Sequence, residues 1–419
     1  VKLLQSLVAT VKNRKMAALL FLGFSSGLPL FLTSRTLQAW MTKADVDLTK
    51  IGLFSLVALP YSLKFLWAPL LERYRLPLLG RRRGWLLVFQ IATMLTIAAM
   101  AWQDPNQNLQ TLAITALLLA FFSASQDIVV DAYRTDSLTG PEMGAGAGIY
   151  VAGYRGALIV SGAFALFLAD KFPWPTVYLI LAGLMLVGII TTFWAPEPPL
   201  IAPPPTRLWG AIVEPLRELF QRLGGLKTLL ILVFIVLYRY ADSLAGAMVT
   251  PFLLKTGFTQ TEIGLVLGVM GLLASIVGAL VGGAIVSRIG INRSLWVFGF
   301  VQAASNLAYF VLAQTGKNYM MMVLAINIEN LCGGLAIAGF FAFLMSLCSQ
   351  KFSGPQYALL SSLMAASSSI LVSPAGQLAK DVGWANFFLI SLAAALPSLV
   401  LLPFFAPWNQ RPAMPRPGS

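Results

Sequence analysis

The sequence predicts an all-α polytopic membrane protein, with 12 transmembrane helices forming two six-helix bundles related by pseudo-two-fold symmetry. Three observations predict it. Of 419 residues, 58% are apolar and only 11% charged, with a mean hydropathy of +0.78. Soluble chains run near about 25% charged, and no soluble fold covers its surface with so few charges. The apolar residues form continuous runs of roughly 20 instead of alternating, which selects helices over a transmembrane barrel. A long proline-rich connection divides six runs from six, and a similar basic loop follows the second run of each half.

Runs bounded by Pro, Gly or charge place the spans at 16–40, 50–71, 84–102, 109–133, 144–169, 175–195, 228–254, 260–287, 293–314, 318–348, 355–379 and 384–406. Lys2, Lys12, Arg14 and Lys15 precede the first run, which is long enough to span, so no cleavable signal is expected. Pro29, Pro60, Pro69, Pro251 and Pro374 should kink or end their helices. The second span leads into APLLERYRLPLLGRRRGW (68–85) and the eighth into GGAIVSRIGINRS (282–294). Both place an Arg, then Gly with basic residues, in a tight loop, as in the repeated halves of transporters. Gly144, Gly146, Gly148, Gly264 and Gly268 read as close-packing surfaces; none follows a strand, so none is a phosphate loop.

The connection 196–227 opens with Pro196, Pro198, Pro199, Pro203, Pro204 and Pro205, which cannot form a span. Leu208, Trp209, Ile212, Val213, Leu216, Leu219, Phe220 and Leu223 then recur at helical spacing, with Arg207, Glu214, Arg217, Glu218 and Arg222 opposite. This reads as an amphipathic helix on the membrane surface. The expected organisation is a first bundle at 1–195, a linker at 196–227, a second bundle at 228–407 and a tail at 408–419.

Counting Lys and Arg orients the chain. With both ends cytoplasmic, 19 of the 29 cations lie inside, 6 outside and 4 within spans. The +13 balance is therefore an orientation signal, and no nucleic-acid partner is expected. The two cysteines, Cys332 and Cys348, share one apolar segment, so neither a zinc cluster nor a disulfide framework is expected. There is no His, so no side chain titrates near neutrality in its ordinary state.

The scarce charges within spans carry the functional signal. Arg35, Lys64, Arg155, Arg239, Asp127, Asp131, Asp242 and Glu329 fall in spans 1, 2, 4, 5, 7 and 10. Each would cost about 2.5–3.5 kcal/mol at a lipid-exposed helix centre, so they should face water or one another. Asp127 and Asp131 share a face of the fourth helix. Two carboxylates one turn apart repel when both are ionised, which favours proton uptake by one of them. They are the candidate proton-coupling pair, with Lys64 at similar depth as the expected partner of Asp127; the alternative is a structural ion pair. Glu72, Arg73, Arg134, Asp136 and Arg288 are expected to form a gating latch at the basic loops.

Candidate substrate contacts follow from chemistry. Arg155 stands after Tyr150 and Tyr154, and Arg beside aromatic rings suits an anionic or sugar-bearing ligand. A bridge from Arg155 to Asp127 or Asp131 is the structural alternative. Arg239 and Asp242 are three apart and can also satisfy each other. Asn327, Glu329 and Asn330 form a polar group that needs partners within the hydrocarbon. Trp40, Trp67 and Gln126 complete the candidate set. Arg35 can snorkel to the outer face. The serines of span 11 (Ser361, Ser362, Ser367, Ser368, Ser369, Ser373) read as a packing face.

The basic loops resemble, in degenerate form, the Gly-x-x-x-Asp-Arg-x-Gly-Arg-Arg motif of the major facilitator superfamily: Glu72-Arg73 with Gly80-Arg81-Arg82-Arg83, and Ser287-Arg288 with Gly290. A closer resemblance runs through nearly the whole chain. GLPLFLTSRTLQAWM (27–41), SLKFLWAPLLERY (62–74), GRRRGWLL (80–87), SASQDIVVDAYRTDSL (123–138), GYRGALIVSG (153–162), QAASNLAYF (302–310) and ENLCGG (329–334) are similar to the AmpG family of muropeptide permeases. Its motif matches fall on Lys64, Asp127, Asp131, Arg155 and Glu329. The resemblance implies proton-driven import of GlcNAc-1,6-anhydroMurNAc, with or without its stem peptide, across the bacterial inner membrane. That is a step of peptidoglycan recycling linked to β-lactamase induction.

The expectation is thus a monomeric, multi-pass symporter working by alternating access, with the muropeptide and the bilayer as partners and no cofactor beyond the proton gradient. One alternative stays open: a transporter of another large anionic solute, such as a nucleotide- or coenzyme A-type compound, separable by competition in an uptake assay. An enzyme or receptor ranks far lower, because no nucleophile–base pair, metal cluster or appended soluble domain is present.

Overall fold

The structure is a computed structural model and describes residues 14–74, 76, 79–138, 143–198, 210–349 and 353–408. Residues 409–419 of the expected tail and the basic residues Lys2 and Lys12 lie outside the described residues. All regular elements among the described residues are helices. Eleven are long and apolar enough to cross a membrane. The expected last two spans are joined in one helical stretch, Ala375–Phe405, but its helix breaks at Gly383, where φ is 76°. A residue without Cβ adopts that conformation at no steric cost. The eleventh span is therefore Ser353–Ile370 with its continuation to the break, and the twelfth follows it.

The described chain divides into two compact units, one within Val1–Leu208 together with Leu253–Gly268, the other within Trp209–Phe252 and Val269–Ser419. The stretch Leu253–Gly268, expected within the second bundle, clusters with the first six spans. The reasons are local. Lys255 Nζ pairs with Asp45 at 3.0 Å. Asp170 accepts from the Thr261 backbone N–H at 2.6 Å and from Gln260 Nε2 at 3.1 Å, capping the helix Gln260–Ile263. Gly264 and Gly268 both pack on Ala163, each within a π-helical segment (Gly264–Met270 against Val160–Phe164). The surroundings of Gly144, Gly146 and Gly148 lie outside what the structure describes.

In the first unit, the expected proline breaks are present. Pro29 lies inside the helix Arg14–Leu32; the chain turns at Thr33 and Ser34 and resumes as Arg35–Lys43. The Thr33 and Ser34 hydroxyls donate to Leu30 O, satisfying a carbonyl at the break. The second span is a chain of short pieces, Leu48–Leu53, Phe54–Ala58, Leu59–Leu63, Lys64–Leu66 and Ala68–Arg73, with Pro60 and Pro69 at the starts of two of them. Proline removes a donor and favours the first helical turn. Lys64 is thereby placed on a 3₁₀ turn instead of a regular helix face. The first and fifth spans approach closely: a Cβ at Gly27 would stand 2.6 Å from Tyr154 O. This contact brings Tyr150 and Tyr154 beside the serines of the first span.

In the second unit, the aromatic core gathers Phe234, Tyr238, Phe340, Phe343 and Phe405. The amphipathic helix forms over Gly210–Leu223, as its pattern predicts; residues 199–209 lie outside the described chain. Leu219 is buried in the core of this unit, while Gln356 Nε2 donates to Pro215 O at 2.9 Å and to the Glu218 carboxylate. Arg222 pairs with Glu218 at 2.8 Å and donates to Leu347 O. Burial opposes ionisation of Glu218, but the hydrogen bonds from Gln356 and Arg222 outweigh it and hold the carboxyl below the usual glutamate range.

Candidate functional site

The fourth span, within the helix Leu109–Ser137, carries the polar centre of the first unit. Its residues divide between two ion-pair groups of different character. Lys64 Nζ lies 3.9 Å from Asp131 Oδ2, with both side chains a third or more exposed. Arg134 reaches the other Asp131 oxygen at 3.2 Å, and its guanidinium lies 4.7 Å from the centre of the Tyr150 ring. Lys64 thus pairs with Asp131 instead of the expected Asp127. Exposed pairs of this kind contribute about 0–1 kcal/mol, so they exchange readily.

The second group is rigid. Arg82, only 5% exposed, binds Asp136 through Nε and Nη2, both at 2.8 Å. Glu197 accepts from the backbone N–H groups of Arg82 (2.8 Å) and Arg83 (3.2 Å). A carboxylate there complements the positive end of the helix Arg81–Ala101. Among the described residues, Arg134 pairs with Asp131, Asp136 pairs with Arg82, and Glu197 stands against the backbone of Arg82 and Arg83. Arg288 is exposed, and the place of the Glu72 and Arg73 side chains in the expected latch lies outside the described residues. Glu197 was hidden in the proline-rich connection. The signal for it was a helix start, Arg81-Arg82-Arg83, with no acid of its own in the first turn.

Asp127 is placed differently from Asp131. Its Oδ1 is buried with no hydrogen-bond partner among the described residues. The same is true of Ser26 Oγ, Tyr61 Oη, Ser123 Oγ and Gln126 Oε1. Gln126, fully buried, donates to Ser25 Oγ at 3.1 Å. Trp67 Nε1 donates to Ser125 Oγ at 3.0 Å, with its ring 5.0 Å from Phe121. Tyr150 and Tyr154 stand with ring centres 6.3 Å apart. Arg155, on the same helix, is exposed. Serines 25, 26 and 123 and Tyr61 escape sequence reasoning because Ser and Tyr are common in spans, and only their surroundings distinguish them.

Trp40 does not join this centre. It is 5% exposed, stacked on Trp174 at 5.9 Å and tilted on Tyr178 at 4.9 Å. Both neighbours come from the sixth span, and the ring is core packing instead of a sugar platform. Arg35 lies over Phe31, 5.1 Å from the ring centre.

In the second unit, Arg239 and Asp242 pair at 2.6 Å, and Gln302 Nε2 donates to the other Asp242 oxygen at 2.8 Å. A small cavity there is lined by Arg239, Asp242, Gln302, Asn306 and Ser398, with Gln302 Oε1 and Asn306 Oδ1 unpartnered among the described residues. The ninth span thus supplies two polar groups to this site. Glu329 accepts from Asn330 Nδ2 at 2.9 Å and from the Tyr309 hydroxyl at 3.5 Å. Asn327 and Asn330 also donate to carbonyls one turn back, at Val323 and Ile326. The span-11 serines bond mainly to their own helix, Ser367 and Ser368 to Met364 O, while Ser368 also meets Ser243 at 2.8 Å.

Comparison with known proteins adds three kinds of finding. The Major Facilitator Superfamily profile matches residues 19–372. The Anhydromuropeptide permease of Escherichia coli (strain K12) is 48% identical over 390 residues, 93% of this chain and 79% of that protein. The Putative transporter AmpG 1 of Rickettsia felis is 32% identical, covering 94% of this chain and 98% of the relative. Among solved structures, a mutant of the nucleoside transporter NupG aligns with a TM-score of 0.73 at 13% identity, covering 94% of this chain and 100% of that one. A D-xylose-proton symporter aligns with a TM-score of 0.69 at 11% identity, covering 93% and 96%. At these identities the structures speak to fold alone.

Proposed function

This chain belongs to the major facilitator superfamily and, within it, to the family of the anhydromuropeptide permeases, and on that premise we propose that it imports anhydromuropeptides for peptidoglycan recycling. It is a transporter by family and fold, not an enzyme. The observation that carries the substrate is the 48% identity to the Escherichia coli permease across 93% of the chain. The substrate is GlcNAc-1,6-anhydroMurNAc with or without its stem peptide, and the route is across the inner membrane, with both termini cytoplasmic. The Lys and Arg asymmetry supports that orientation.

The geometry supports a division of labour within each unit. Lys64 and Arg134, loosely held by Asp131, offer cations to the substrate carboxylates. The partly buried Trp67 and Tyr154 rings offer faces and edges to sugar rings, whereas Tyr150, 8% exposed in the core of this unit with Arg134 over its ring, packs as Trp40 does. Asp127 carries the coupling charge. A carboxylate oxygen buried without a partner is costly in ionised form, so transport through this state needs something to neutralise it, and a proton is the simplest candidate. Within the second unit, Arg239, Asp242, Gln302 and Asn306 form a polar group of their own, and Glu329 accepts from Asn330.

Purified protein in proteoliposomes, given labelled anhydromuropeptide, tests the substrate. Uptake should be displaced by unlabelled anhydromuropeptide and not by a nucleotide or coenzyme A compound at equal concentration. Displacement by the nucleotide-type compound alone would replace the proposal with the other anionic-solute reading.

A further inference from the structure

We propose that the first unit carries a binding site for one anionic phospholipid, in a groove between the second and fourth spans, with the phosphate at Lys50 and an acyl chain running along residues 54–59. The lipid belongs to the leaflet that meets the starts of these two spans, the outer one in the orientation proposed above.

The groove is a cavity of about 660 Å³, a volume within the range of ligand sites. Its apolar wall is Phe54, Val57 and Leu59 of the second span and Ala113, Ile114 and Leu117 of the fourth. A local cause opens it. The second span tightens to a 3₁₀ turn at Phe54–Ala58 and restarts with Pro60 in the first turn of the next helix. The fourth span beside it runs as one α-helix, Leu109–Ser137. Side-chain ridges of different spacing do not mesh over this length. Ile114 is 53% exposed and Leu117 43%, so the groove is open along its side. From Leu109 to Leu117 its wall rises about 12 Å at 1.5 Å per residue. That is close to one leaflet, half of a hydrocarbon core about 30 Å thick. The wall does not suit a muropeptide, whose hydroxyls and amides would be buried there without partners.

Polarity along the groove is ordered. Its polar side chains, Lys50 and Gln110, stand at the end where the two spans begin, and the remaining depth is apolar. Lys50 is exposed and makes no ion pair among the described residues. Asp47, one turn earlier, accepts from the Thr49 backbone N–H at 2.9 Å and caps its own helix. The fourth span begins at the same end, with no side-chain cap from Asn108 and no acid in its first turn. The free N–H groups of such a helix start favour an anion, and Lys50 adds a full positive charge beside them. A cationic mouth above an apolar slot one leaflet deep complements an anionic head on an acyl chain. A free anion would gain nothing from the slot, and a zwitterionic lipid would bring its own cation against Lys50.

The test uses the full chain purified in detergent, mixed with equimolar phosphatidylglycerol and phosphatidylethanolamine of the same acyl chains and weighed by native mass spectrometry. The parent should retain one phosphatidylglycerol in preference. Lys50→Gln should lower the ratio of the two retained lipids about fivefold, the worth of one lysine near a lipid surface. Lys317→Gln, which removes an exposed lysine between the ninth and tenth spans, should leave the ratio unchanged. Ala113→Phe fills the slot and should retain neither lipid, with its melting temperature in detergent showing that it is folded. Inorganic phosphate added at the concentration of the lipids should not displace phosphatidylglycerol. Equal retention of both lipids by the parent, or an equal fall in Lys50→Gln and Lys317→Gln, would overturn the proposal. So would parental retention by Ala113→Phe, displacement by phosphate, or a lipid-free dimer of the parent. Should Ala113→Phe fail to fold, the two lysine variants decide. Either result leaves the muropeptide reading untouched, since no substrate enters the measurement.

Discussion

Asp131 and Asp136 stand five residues apart on one helix and hold their cations in opposite ways. Asp136 fixes the buried guanidinium of Arg82, while Asp131 shares the partly exposed Lys64 and Arg134. Breaking a buried pair leaves an uncompensated charge and costs about 3 kcal/mol or more, against about 0–1 kcal/mol for an exposed one. Arg82→Ala should therefore lower the melting temperature clearly in detergent. Lys64→Ala should leave it nearly unchanged while reducing muropeptide uptake; equal destabilisation by the two would refute the distinction. Trp40 makes the complementary case. Trp40→Ala should destabilise by roughly 3–5 kcal/mol, as buried aromatics do, whereas Trp40→Phe should keep most uptake. A selective loss of uptake in Trp40→Phe, with stability intact, would restore it as a sugar contact. The sequence places Trp40 and Trp67 alike, as aromatic residues near charged ones. Only burial separates the ring stacked on Trp174 from the ring that donates to Ser125.

At the scale of elements, hydropathy locates the spans well because about 20 apolar residues in a row have few other uses. The internal breaks are less legible. Pro29 and Pro60 announce theirs, but the 3₁₀ turn that carries Lys64 and the π-helical segments at Val160–Phe164 and Gly264–Met270 leave no local pattern. They arise where tertiary packing overrides the regular helix. The break at Gly383 is testable directly. Gly383→Ala forces a Cβ into a conformation (φ 76°, ψ 165°) that is essentially confined to glycine and should cost about 1–3 kcal/mol; an unchanged melting temperature would mean the helix runs through. The helix Gly210–Leu223 is held by Glu218, whose carboxyl lies below the usual glutamate range. A lowered value means that stability is present above the unfolded-state value, about 4.3, and is lost as pH falls through the folded one. Amide protection factors in this helix, corrected for the intrinsic pH dependence of exchange, should be flat from neutrality down to that value and fall only below it. A loss of protection between about pH 7 and 5 would contradict the assignment.

For the molecule as a whole, composition alone excluded a soluble protein, and the positions of the charges within spans pointed to where function lies. Asp127, Asp131, Lys64, Arg239, Asp242 and Glu329 all have polar surroundings in the structure. Their pairings were not legible, because depth along a helix fixes neither rotation nor reach; Lys64, which acts on Asp127 but makes its ion pair with Asp131 at 3.9 Å, is the example. Glu197 was invisible for a related reason, since its partners lie more than a hundred residues away in sequence. What joins the parts is Asp127, whose Oδ1 is buried with no hydrogen-bond partner among the described residues. The most direct measurement is uptake of labelled anhydromuropeptide into proteoliposomes with and without an imposed inward proton gradient, for the parent chain and for Asp127→Asn. The account predicts gradient-driven accumulation by the parent and, in the variant, loss of accumulation with exchange retained. Accumulation by Asp127→Asn at the parent level would contradict it.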